Sequence, residues 1–201
     1  MLRESLIRLL VAYLLLALLF LVYGDSLGRS LIPIFHWELQ WIAPEFDISA
    51  LEPIVTNGAL RARLQVSPIG PLVFGEQILY ADNPIWPMVV TTPLAQTYQC
   101  PLIMVSAALA WPVDSIRKRI VLTVITFPLM LVLAMLDIPL ILLGTVWAGL
   151  FDTFAPGFNT LVAEGPAWIS DGGRLAMCAV AVCIALALCK LLARETGGKY
   201  C

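Results

Sequence analysis

A chain of 201 residues that is 60% hydrophobic and 13% charged, with a mean hydropathy of +0.90, carries more apolar surface than a soluble core of this size can hide. A net charge of −2 with no basic run longer than three residues indicates neither a nucleic-acid footprint nor a strong polybasic patch for anionic lipid. The five cysteines form no Cys-x-x-Cys pair, which argues against a metal or redox-disulfide site.

The first apolar run, residues 6–23, would be about 27 Å long as a helix, close to the roughly 30 Å of bilayer hydrocarbon. It follows Arg3 and Arg8, and Leu21-Val22-Tyr23-Gly24 offers no small-x-small cleavage site, so residues 1–23 read as an uncleaved signal anchor.

Residues 24–97 hold seven acids against Arg29, Arg61 and Arg63, a balance that suits the extracytoplasmic side. Two stretches here alternate apolar and polar residues, the period of half-buried strands: 35–41, which includes His36, Trp37 and Trp41, and 60–66. Thr56-Asn57-Gly58 predicts a turn after a strand over 48–55, and a fourth strand is expected at 72–80. For residues 33–42 an interfacial helix is the alternative, because Trp37 and Trp41 favour membrane interfaces. Pro84, Pro87 and Pro93 keep residues 83–93 from forming a regular helix. Ile85, Trp86 and Met88 then make an extended, apolar connector that suits contact with another subunit.

The second span is expected over about 94–113, its outer end interrupted by Gln96, Gln99 and Pro101, its inner end stopped by Arg117, Lys118 and Arg119. The third run, 120–151, would reach about 48 Å as one helix. It is either one span with an outer overhang or two helices broken near Asp137-Ile138-Pro139. Two spans would put Lys190, Arg194 and Lys199 outside, so the charge rule favours one. An outer loop over 152–173 presents Trp168, and the last span, 175–193, is rich in Ala, Cys and Leu. Cys178 and Cys189 stand eleven positions apart and share one helical face.

The fold class expected is therefore an integral membrane protein, mainly α. Four transmembrane helices enclose a small strand-containing extracytoplasmic segment between the first two, with residues 94–201 forming a three-helix membrane region. Eight of the twelve Lys and Arg fall at helix ends on one side, which places both termini in the cytoplasm.

Catalytic signatures are thin. The runner-up reading sets Cys100 as nucleophile, His36 as base and Arg61 as oxyanion partner, all on the outer side, as a cysteine transpeptidase requires. No flanking motif marks Cys100 as activated. Phosphate-binding glycine loops, HExxH and GxSxG are absent, and no histidine lies within a span to ligate haem or chlorophyll. No catalytic, cofactor-binding or metal residues are assigned.

The order of parts, with Asn83-Pro84, Tyr98-Gln99-Cys100-Pro101-Leu102 and Ala107-Ala108-Leu109-Ala110, resembles the small bacterial membrane proteins associated with exosortase H. Residues 85–97 separate the two motif pieces, and the cysteine-rich last span departs from that pattern. The resemblance implies an accessory role beside a membrane protease-transpeptidase.

The expected function is a non-enzymatic accessory or scaffold subunit of a bacterial inner-membrane complex, a hetero-oligomer whose partners are lipids and other integral membrane subunits. Contacts are expected at Trp37, Trp41, Ile85, Trp86, Met88, Trp168, Cys178 and Cys189. The alternatives are a cysteine-dependent processing enzyme using Cys100, or a subunit of a respiratory, light-harvesting or conjugation complex.

Overall fold

The computed structural model describes residues 2–74, 77–112, 116–156 and 161–195, excepting the side chains of 2, 161–163 and 192–195. Val113, Gly157, Lys199 and Cys201 lie outside the described residues. In chain order the elements are α1 (Leu2–Ile42), β1 (Phe46–Thr56), β2 (Ala59–Pro68), β3 (Leu72–Phe74), β4 (Gln77–Leu79) and β5 (Met88–Pro93). A 3₁₀ turn (Leu94–Tyr98) leads into α2 (Gln99–Ala110), followed by α3 (Ile116–Phe154), α4 (Leu161–Trp168), a π-helical turn (Ile169–Gly173) and α5 (Arg174–Glu195).

Three of these stretches, Arg3–Ile42, Ile116–Phe154 and Glu164–Leu191, are helical, long and apolar enough to cross a membrane. At 12 residues, α2 is about 18 Å long and falls short of that length by itself. The chain divides into two compact units. The first comprises Met1–Gly24, Thr97–Ala134 and Gly172–Cys201, the second Asp25–Gln96 and Met135–Asp171.

In the second unit, α1 does not stop at the end of its apolar run but continues as helix to Ile42. The strand expected over 35–41 is therefore corrected to helix. Alternation puts Phe35, Trp37, Leu39 and Trp41 on one face of a strand, whereas the helical period divides them. Ile32, Phe35, Leu39 and Ala43, spaced three, four and four, are buried. Trp37 and Trp41, a turn apart, stand 61% and 77% exposed. Both periods fit the seven residues alone; the buried partner on α3 selects between them. There Ile138, Leu142, Val146 and Leu150 join the same core.

The other wall of that core is a three-stranded antiparallel sheet in the order β1-β2-β5. Strand β2 keeps the expected alternation: Leu60, Ala62, Leu64 and Val66 face inward. Asn57 and Gly58 at the β1–β2 tip both have positive φ, 53° and 75°, the backbone a two-residue hairpin turn needs. A bulge falls between Ile48 and Ala50, where the Ser49 hydroxyl donates to the Gln65 carbonyl at 3.1 Å. The single strand expected at 72–80 is instead a small antiparallel pair, β3 with β4. The connector over 83–93 is not left free. Its second half is β5, hydrogen-bonded along β2 from Arg61↔Pro93 to Val66↔Met88.

Rings close the unit. Phe46 meets Trp147 edge-on at 5.4 Å and Trp86 at 6.2 Å, and Phe74 packs on Trp147, Phe151 and Phe154.

In the first unit, α2, the first half of α3 and α5 pack through small side chains. On α5, Cys178, Ala181, Ala185 and Cys189 repeat at three, four and four and are all buried. Opposite them lie Cys100, Met104 and Ala108 of α2 with Leu122, Leu129 and Leu133 of α3. Small residues let helix backbones approach closely. The threonines of α3 satisfy themselves: Thr126, 2% exposed, donates to the Leu122 carbonyl at 2.7 Å, and Thr123 and Thr145 likewise reach back one turn. Helix α3 runs unbroken through Asp137 and Pro139, so the break considered there is absent. It also extends to Phe154, and α4 with the π-helical turn occupies much of the expected outer loop.

Two outcomes test this arrangement. Phe35→Ala should lower stability in detergent by about 3–5 kcal/mol, while Trp37→Ala should change it by less than about 0.5 kcal/mol. Equal losses in thermal melts would restore the strand reading. Gly24→Val should destabilise the first unit, because a Cβ at Gly24 would lie 3.0 Å from the Tyr98 ring. A melting temperature equal to wild type would show that this contact does not form.

Candidate functional site

Helix ends decide where chemistry can sit in the first unit. Ser5, Leu6 and Leu9 of α1 line one groove together with Ala107, Ala110, Trp111 and Pro112. The start of α1 therefore lies beside the end of α2. On α5, Cys178 packs near Cys100 at the start of α2 and Cys189 near Ala108, eight residues later, so α2 and α5 run the same way. Helix α3 runs opposite, with Leu122 beside Ala108 and Leu129 shared with the cluster around Met104. Arg3, Arg8, Arg117, Lys118, Arg119 and Lys190 consequently collect at one end of the unit.

The opposite end is held by polar contacts that sequence pattern does not reveal. The Tyr98 ring stacks on Phe20 at 5.0 Å and its hydroxyl donates to the Gly24 carbonyl. Arg174, 5% exposed at the first residue of α5, donates from Nη1 to Gln99 Oε1 at 2.7 Å. These pairs join residues 74 and 75 positions apart. The available signal was that Tyr98, Gln99 and Arg174 all border apolar runs, where a buried polar group must find a partner.

The residues of the catalytic alternative occupy different surroundings. Cys100 is 1% exposed and packs with Met104, Cys178 and Ala181 in the first unit. A nucleophilic thiol needs access, which this packing closes off. His36 is half-buried on α1 in the second unit. Arg61, also in that unit, points from the outer face of β2 and donates to Thr91 Oγ1 at 3.3 Å, while its neighbour Arg63 meets Glu52 at 3.3 Å. Both are cross-strand contacts of a solvated face, worth under about 1 kcal/mol each. Among the described residues no three His, Cys, Asp or Glu side chains group as a metal site.

The expected contact residues separate into two kinds. Trp37, Trp41 and Trp168, the last 56% exposed, present rings outward. Trp86 and Met88 are partly buried against the core of their own unit, with Ile85 also partly covered. Cys178 and Cys189 are buried against the chain's own α2 and α3. Compared with known proteins, the chain matches no family model, no characterised protein and no solved structure.

Proposed function

We propose that the chain is a four-segment membrane protein of the bacterial inner membrane, with both termini cytoplasmic. In this reading it serves as a non-enzymatic accessory subunit of a membrane complex. The observation that carries this is the first half of α1. None of the residues in the most apolar 18-residue window of that helix is buried by the chain, although Leu14, Leu15, Leu18 and Leu21 are among them. Water is a poor solvent for such a surface; lipid or another subunit's helices are good ones.

The cationic end of the first unit supports the orientation, since Lys and Arg are retained on the cytoplasmic side. Helix α2 serves as the fourth membrane segment together with the 3₁₀ turn before it. Their contour is about 28 Å, from about 18 Å of α-helix and about 10 Å of 3₁₀ helix. In this reading residues 24–97 and the segment 152–173 are extracytoplasmic, and Trp37, Trp41 and Trp168 offer aromatic anchors of the kind that dominate binding energy at interfaces. The resemblance carried by Asn83-Pro84 and Tyr98 to Leu102 suggests an exosortase-type transpeptidase as the partner.

Alkaline phosphatase fused at Ala81 should be active and fused at Arg119 inactive; the reverse pattern would overturn the orientation. Gentle purification of the tagged chain from its own membranes should recover one stoichiometric integral membrane protein. Trp37→Ala/Trp41→Ala should reduce that recovery at least tenfold, as loss of about 1.4 kcal/mol or more would. A monodisperse monomer with no companion would count against the accessory role. Cys100→Ala should retain full function in the host, whereas complete loss in a protein of normal abundance would revive the processing-enzyme alternative.

A further inference from the structure

The groove between the start of α1 and the end of α2 has a volume of about 580 Å³, within the roughly 300–1,000 Å³ of ligand sites. A second hollow of about 450 Å³ shares Leu6, Leu9 and Ala107 with it and extends it along α1 past Leu10 and Tyr13. The combined slot is walled almost entirely by carbon. Its ends differ. Toward Tyr13 and Ile103 it is apolar, whereas Ser5 and Trp111 mark an end crowded with cations.

Arg3 and Arg8 flank the lining residues on α1, three positions from Leu6 and from Ser5 respectively, and both are exposed. Arg119, near the start of α3, stands at the same end of the unit. It lies one turn before Leu122, which packs with Ala108, and Trp111 follows directly on the end of α2, three residues after Ala108. The Arg119 Nε is shielded from solvent and has no acceptor among the described residues. A buried guanidinium donor without an acceptor is costly and calls for an anion. Six cations, Arg3, Arg8, Arg117, Lys118, Arg119 and Lys190, gather at this end, with Glu4 beside Arg3 in sequence.

We propose that this slot holds one anionic phospholipid of the surrounding bilayer. An acyl chain lies along Leu6, Leu9, Leu10 and Ala107, and the phosphate sits on Arg3, Arg8 and Arg119. Charge complementarity selects this occupant. A partner's transmembrane helix would fill the apolar length but would leave the cationic end unanswered, while a phospholipid is apolar along its length and negative at one end. Cations near a membrane surface attract anionic headgroups, and an acyl chain held in the slot turns that diffuse attraction into a site.

The inference rests on the membrane reading above, and the two fail differently. If the chain does not sediment with membranes, the membrane reading falls and this site falls with it. The site itself is tested on full-length protein in detergent, titrated with phosphatidylglycerol and with phosphatidylcholine and followed by native mass spectrometry. Phosphatidylglycerol should bind at least tenfold more tightly. Arg3→Gln/Arg8→Gln should bring the two lipids within about threefold, and Arg3→Lys/Arg8→Lys should restore most of the preference. Leu9→Trp, which fills the slot, should weaken both lipids. Equal binding of the two lipids by wild type, or a preference unchanged in the glutamine variant, would overturn the proposal. So would a Leu9→Trp protein that loses a co-purifying protein but keeps its phosphatidylglycerol.

Discussion

A three-stranded sheet has one apolar face and nothing of its own to cover it. In the second unit that cover comes from α1, which outlasts its apolar run, and from the second half of α3. Ile32, Phe35 and Leu39 on α1, with Ile138, Leu142, Val146 and Leu150 on α3, form the wall against which Leu60, Ala62, Leu64 and Val66 are buried. Two layers around one core is the minimum a stable unit needs. Residues 24–97 alone supply too little apolar surface for this, and the structure recruits 37 more from the α3 side, Met135–Asp171.

How much of this is written in the sequence depends on what each pattern measures. Hydropathy reports the solvent that a segment prefers, and it located the three long apolar helices. It does not report where backbone hydrogen bonding ends, so Asp25 and Arg29 looked like the close of a helix that in fact continues through them. Alternation worked for β2, where Arg61, Arg63 and Gln65 leave one face unmistakably polar. It misled over 35–41, because tryptophans on the exposed face counterfeit an apolar strand face. The Asn57-Gly58 turn was legible since a residue pair tolerant of positive φ has few other uses.

The polar fastening of the first unit was less legible for a different reason. Arg174 with Gln99, and Tyr98 with Gly24, are contacts of topology, created when helices remote in sequence are brought side by side. A single chain records each partner's presence but not the pairing. Likewise the buried face of α5 could be read as available for docking until α2 and α3 were seen to occupy it. What the sequence shows there is a last span rich in small residues, which favour close helix contacts.

The sheet has two open borders, β1 and β5, and unprotected strand borders invite another chain to continue the ladder. Here each border carries a proline, Pro53 in β1 and Pro93 in β5, which withholds a backbone donor, and β1 is further bent by its bulge near Ser49. Identical copies crowded into a plane would meet edge to edge far more often than in dilute solution. These interruptions work against runaway sheet growth, so that any lasting association must be made through side chains instead.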